Sequence, residues 1–387
     1  MKTTLALGVR GRAGQTGSRG VVAELLPASE VAQSQRFVIP WGEAGEMHEL
    51  AVEPGHYVVH ATLPSGQLLS GSVRVIEGVP ASLLLEVASS EAQVRTRGST
   101  RFLLGPPEPW VALADDESVT WEIGRSASSR AWQDWASEPQ QQLDPMLDAK
   151  VDLDAGCFSI EGSGGPVHVL RREAGLRRRD VLWLPPHWET EREAARFEIR
   201  VPDDLESSLA LTLGDPRFGT MLGYLASGAL PSAAMFIDVQ EDATQLLFEK
   251  LWNPHAAAAG AYVLIETETD PHERKPWHAW IDNLANWFGD LPDGAVLAGW
   301  HRLRNANTPA DMEAARPWFE LAIARGIPNF TLVFRALVDG LTMFVDEPDI
   351  DTGDFAAKLV EIQAVARHLD IRQPFTTLRF GPQPAPR

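Results

Sequence analysis

Residues 276–300 read PWHAWIDNLANWFGDLPDGAVLAGW and carry four of the chain's 13 tryptophans. At about 100° per residue on a helix, Trp277, Trp280, Ile281, Leu284, Trp287 and Phe288 fall within an arc of about 120°. The spacing predicts an amphipathic helix whose tryptophan stripe is core. His278, Asp282 and Asn286 recur four apart on the opposite side, which predicts a solvated face in preference to a metal pair from His278 and Asp282. The segment GDLPDG then turns the chain. Asp293 is placed to cap a second helix that buries Val296, Leu297, Trp300 and Leu303. An αα-hairpin follows, in which truncating Trp287 should cost far more stability than truncating His278.

The helical period continues to both sides. From about Phe218 onward Leu247 and Leu251 mark one apolar face, and Phe330, Val333, Phe334, Leu337, Leu341 and Phe344 mark another. In TPAD, Thr308 is the expected N-cap, Pro309 the first helical residue and Asp311 the capping-box acid, while Gly326 stops the helix that ends near Arg325. Pro317 should break that segment. In DEPDIDTGDF, Thr352 is the expected N-cap with Asp354 in the first turn. No constant repeat length fits, so residues 216–387 are expected to form an irregular α-helical array.

Upstream the period is two. Residues 50–87 alternate Val, Leu, Tyr and Thr with Pro-Gly, Pro-Ser-Gly and Gly-Val-Pro turns, the pattern of short half-buried antiparallel strands. Val73 and Val75 share one face, as do Leu83, Leu85 and Val87. Further strands are expected at Leu5–Val9, Val21–Leu26 and Phe37–Ile39, giving a β-sandwich over residues 1–90. Residues 91–215 read as a second β-rich region containing a linker-like insertion at 124–150, rich in Ser, Gln and Pro. The fold class expected is therefore α+β multidomain: N-terminal β-sandwich, second β-rich region, C-terminal α-helical array.

Composition removes several functions. The charge of −19 from 34 basic and 53 acidic side chains argues against nucleic acid as a partner, because phosphate binding needs a basic face. No apolar run approaches the 18 or so residues that suggest a membrane span, and MKTTLALGVRGRAG lacks the build of a signal peptide, so a cytoplasmic protein with no membrane partner is expected. A single cysteine, Cys157, excludes an internal disulfide and a multi-thiolate zinc site.

Motifs for catalysis are also lacking. GVRGRAGQTGSRG at 8–20 fails as a phosphate loop, with Ser18 where lysine is required and Arg12 where the first glycine belongs. The acids from Asp346 fail as a calcium loop because Gly353 is fifth from Asp349 where the motif needs the sixth. Cys157 would need a positioned histidine and an oxyanion site, and neither His56 nor His60 is followed by the glycine that caspase-like peptidases use. No catalytic residue, cofactor or metal is therefore expected.

Two resemblances add to this. VEPGHYVVHATLPSG resembles the Pro-Gly-x-Tyr turn and strand of carboxypeptidase-regulatory-like, prealbumin-type sandwiches over residues 45–90, which implies a structural or binding module. NPHAAAAGAYVLIE and NLANWFGDLPDGAVLAGW resemble a helical region of bacterial proteins that accompany caspase-like peptidases in defence or cell-death systems, over residues 240–345. That resemblance implies a non-enzymatic interaction protein: a substrate, adaptor or inhibitor of such a peptidase. Under the substrate reading, Arg177, Arg178 and Arg179 form a candidate cleavage site at an expected hairpin tip. The alternatives are a cysteine hydrolase using Cys157 and a carbohydrate-binding β-sandwich module.

Overall fold

A computed structural model describes residues 3–10, 19–27, 34–42, 45–63, 68–86, 101–103, 119–125, 132–137, 144–145, 149–152, 157–160, 165–173, 176–184, 197–200, 210–213, 221–225, 228–240, 253–268, 275–371 and 373–381. The chain is α+β, β-rich in its N-terminal part and helical in its C-terminal part. It forms two compact units, one of residues 1–111, 152–158 and 195–243 and the other of residues 112–151, 159–194 and 244–387.

In the first unit, β1 (Thr3–Arg10), β2 (Arg19–Pro27), β3 (Gln35–Gly42), β4 (His48–Val52), β5 (Gly55–Thr62), β6 (Leu68–Val75) and β7 (Ala81–Glu86) match the strands that the alternation predicts. The two facing sheets expected of a sandwich are replaced by one seven-stranded sheet, in the order β4-β1-β3-β2-β5-β6 with β7 on β1. β1 makes this possible by dividing its partners. Thr3–Leu7 pair antiparallel with β4, Val9 and Arg10 pair parallel with β3, and Leu5–Arg10 pair parallel with β7. Period two then puts Leu5, Leu7 and Val9 on a single buried face with Val21, Ala23, Leu25, Ile39 and Val59.

Tyr224, in a helical turn at 221–225, is fully buried against this sheet. Where β5 ends, its hydroxyl accepts the Val22 N–H at 3.1 Å and donates to the Thr62 carbonyl at 2.5 Å, bridging two strand residues that face each other in register. Burial pushes its pKa well above the ordinary tyrosine value. β8 (Arg101–Leu103) later pairs antiparallel with one of two strands still to be met in the chain.

The second unit contains β9 (Val119–Arg125), β10 (Asp144–Pro145), β13 (Gly165–Glu173), β14 (Leu176–Leu184) and β17 (Thr377–Phe380), while the short β11 (Ala149–Asp152) and β12 (Cys157–Ile160) each fall at a boundary in the chain. β15 (Phe197–Arg200) and β16 (Ala210–Leu213) belong to the first unit, where β16 pairs with β15 and β8. In the second unit β10-β9-β13-β14-β17 form an antiparallel sheet. The insertion expected to behave as a linker contains a 3-10 turn, Trp132–Trp135, with both tryptophans buried. Trp132 Nε1 donates to the Ile323 carbonyl at 3.1 Å and its ring meets Phe334 edge-on. Trp135 packs on Trp183 at 4.7 Å. Two bulky side chains thus anchor a segment whose flanking composition reads as loop.

Eight helices lie among the described residues: α1 (Leu230–Gln240), α2 (Pro254–Thr267), α3 (Pro276–Trp287), α4 (Pro292–Arg304), α5 (Pro309–Glu313), α6 (Arg316–Arg325), α7 (Thr331–Asp346) and α8 (Phe355–Ala366). The α5 capping box of Thr308 and Asp311, the break before α6 and the Gly326 stop agree with their sequence signals. Thr352 does not cap α8; Asp354 holds that position without a side-chain cap bond. Leu247, Leu251 and residues 11–18 of the glycine-rich segment lie outside the described residues.

α4 is the hub of the second unit, buried along almost its whole length and packed against α2, α3, α6 and α7. Phe319 of α6 wedges between Gly299 of α4 and Gly340 of α7, where an added Cβ would stand 2.9 and 2.3 Å from its ring. Only glycine permits that approach.

The Tyr224 bridge gives a measurable expectation in the other unit. Tyr224→Phe removes the partner of a buried N–H and of a strand carbonyl while keeping the ring, so it should lower stability by about 1–3 kcal/mol in denaturant titration. A change below about 0.5 kcal/mol would mean that the two strand groups find each other without the hydroxyl.

Candidate functional site

The geometry of α3 differs from the expected helical phase. Its buried residues are Trp277, Ile281, Leu284 and Ala285, whereas Trp287 is 55% exposed and Trp280 only half-buried. The buried arc is turned by about 50° toward the side that carries His278 and Asp282. That rotation makes the polar stripe structural. Arg302 of α4 donates to both Asp282 carboxylate oxygens, at 2.8 and 2.7 Å, and lies over the Trp318 ring at 4.7 Å. Asn286 alone of the three remains exposed.

His278 points into a cluster assembled from three helices. Glu268 is the C-cap of α2, His278 stands in the first turn of α3, and His301 lies near the end of α4. His278 Nε2 is 2.8 Å from Glu268 Oε1, and His301 Nε2 is 3.4 Å from Glu268 Oε2. The two imidazoles are 4.5 Å apart by ring centroid, with Trp277 edge-on to His278 at 4.3 Å. The Glu268 side chain is only 4% exposed, against 19% for His278, so the cluster opens to solvent on the His278 side. Lys275 Nζ stands 3.8 Å from Glu268 Oε1, and Asn305 Nδ2 lies 3.1 Å from His301 Nε2.

Burial pushes the His301 pKa down to about 4, aided by the nearby His278, despite the opposing pull of Glu268. A neutral imidazole is the form that binds metal. Glu268, His278 and His301 each offer one ligand atom, all within 4.8 Å of one another. A single sequence cannot pair a helix-ending glutamate with histidines 10 and 33 residues away. The signal that was present, His278 four residues before Asp282, pointed to the wrong partner.

Neighbouring polar groups fix the same helices. Glu266 accepts from Trp300 Nε1 at 2.8 Å and pairs with Arg304 at 2.5 Å. Asp293, expected as an N-cap, lies inside the first turn of α4, whose N-cap is Leu291. Its carboxylate is fully buried and accepts the backbone N–H groups of Asn329 and Phe330 at 2.9 and 3.0 Å, tying α4 to the start of α7.

The arginine triplet lies in β14, past the β13–β14 turn. Arg177, Arg178 and Arg179 are in register with Arg172, Arg171 and Leu170 of β13, and Arg179 also with Phe380 of β17. Arg179 is 2% exposed, and Arg178 pairs with Asp180 at 3.1 Å. Cys157 begins β12, and its side chain lies outside the described set.

Comparison with known proteins gives one family. A family model described as Y4kD C-terminal domain matches residues 220–384, the C-terminal helical region. No curated protein matches. Among solved structures, a 9R-lipoxygenase from Cyanothece PCC8801 aligns at 9% identity over 88% of this chain and 66% of that one, with a TM-score of 0.17. The chain thus spans just under two-thirds of that structure's length.

Asp293 predicts a pH dependence. Desolvation raises its pKa from 3.8 to about 6, so the folded state holds the proton more tightly than the unfolded chain. Its contribution is full below about pH 4 and is lost as pH rises through 6, about 3 kcal/mol in all. Relative to Asp293→Asn, the wild type should therefore lose about that much stability between pH 4 and 7 in parallel denaturant titrations; a constant difference between the two proteins would contradict the assignment.

Proposed function

We propose that this chain is a non-enzymatic interaction protein, working in the cytoplasm as an adaptor, inhibitor or substrate of a caspase-like peptidase in a bacterial defence or cell-death system. Trp287 carries the proposal. It stands 55% exposed at the end of α3, a helix held by the Asp282–Arg302 fork and packed on α4. Tryptophan is enriched among the residues that dominate binding energy at protein interfaces, and a rigid support lowers the entropy lost on association. The family match over residues 220–384 supports treating the helical region as a module in its own right. The resemblance of residues 240–345 supports the choice of partner.

Adaptor or inhibitor is favoured over substrate. A peptidase needs extended backbone free to enter its cleft, and Arg177–Arg179 would first have to leave β13, with Arg179 leaving β17 as well. The carbohydrate reading gains little, since Trp41 and Trp183, strand tryptophans with described side chains, are buried.

The test uses the tagged full chain expressed in its native host. Wild type should co-purify with a caspase-like peptidase, identified by mass spectrometry, and Trp287→Ala should lose it while its stability changes by no more than about 1 kcal/mol. Equal recovery with both proteins, or no peptidase with either, would overturn the proposal.

A further inference from the structure

We propose that Glu268, His278 and His301 form a binding site for one divalent transition-metal ion, Zn²⁺ being the ion that the donor set suits best. Two imidazole nitrogens and a carboxylate are a recurrent zinc ligand set, leaving a further position for water. The geometry supports this independently of any partner. Tetrahedral ligands about 2.05 Å from zinc stand roughly 3.3 Å apart. The separations of the His278 and His301 Nε2 atoms from the Glu268 carboxylate, 2.8 and 3.4 Å, bracket that value, and no ligand atom lies more than 4.8 Å from another. Small rotations of the side chains would close the set, with no movement of the helices.

Three further observations agree. Both histidines turn the same nitrogen, Nε2, toward one carboxylate, so the ligand atoms converge from separate helices. Glu268 ends α2, where the helix dipole favours a cation. The solvent-facing His278 side supplies an entry route for the ion and room for a bound water. Metal binding displaces two present contacts: Asn305 Nδ2 must leave His301 Nε2, and Lys275, at the solvent edge of the cluster, must swing away from Glu268.

The consequence is a cross-link. α2, α3 and α4 are held by the Glu266 and Asp282 pairs on their flanks, and a metal ion would join all three helices at one point. Ligands on separate elements couple metal affinity to folding, because the unfolded chain does not hold them together.

The full-length protein, stripped with chelator and dialysed, is titrated with Zn²⁺ by calorimetry and with Co²⁺ by visible absorption. The expected result is one equivalent of either ion, with the intense d–d bands of four- or five-coordinate cobalt. Glu268→Gln and His278→Gln should each weaken binding on the order of 100-fold or more. Asn286→Ala, which alters the exposed face of the same helix without touching a ligand, should bind as wild type does, and circular dichroism separates lost ligation from lost folding. His278→Gln is the partly exposed site and serves if the buried Glu268 variant does not fold. No stoichiometric binding by wild type, or equal binding by wild type and His278→Gln, would overturn the site.

Discussion

One carboxylate holds the helical unit in register. Asp293 is fully buried, and its two oxygens accept the Asn329 and Phe330 amides of the chain leading into α7. Backbone N–H groups at a helix start lack partners within their own helix, and meeting them from another helix fixes both the angle and the rotation of the pair. Because α4 is gripped in this way at its N-terminus, the rest of its length is set. Gly299 then faces Phe319, Trp300 reaches Glu266, His301 meets Glu268 and Arg302 meets Asp282. The candidate site is one consequence of where that helix is held.

The charged groups around the site are better understood as parts of a packed unit than as surface decoration. The Asp282–Arg302 pair is a two-bond fork beneath a tryptophan, and Asp180 shares Arg178 and Arg379, the latter also bound to Asp370. Pairs of this kind cost desolvation and repay it through geometry, so they discriminate between rotational settings of neighbouring helices more than they add to stability. The rotation of α3 by about 50° from its hydrophobic-moment optimum is such a setting. It exposes Trp287, which transfer energy alone would bury, and brings His278 inward.

Much of the fold was legible in the sequence because it follows from local signals. The Thr308 capping box, the Gly326 stop and the period-two strands β1 to β3 depend on neighbours within a few residues. Three things were not legible, for a common reason. The single sheet depends on β1 pairing with three strands, the 132–135 turn depends on ring contacts with Phe334 and Trp183, and the Glu268 cluster depends on three helices meeting. Each is a long-range contact. A helical wheel also assumes one flat partner, and α3 packs mainly against α4, which lies to one side of its tryptophan stripe.

Native-state hydrogen exchange is the most direct test of the central claim that α4 organises this unit. Amides of residues 296–303, together with those of Asn329 and Phe330 bound by Asp293, should exchange only through global unfolding and share one free energy at the top of the protein's range. Exchange of the α4 amides by local opening, at a free energy below that of the peripheral α8, would contradict it.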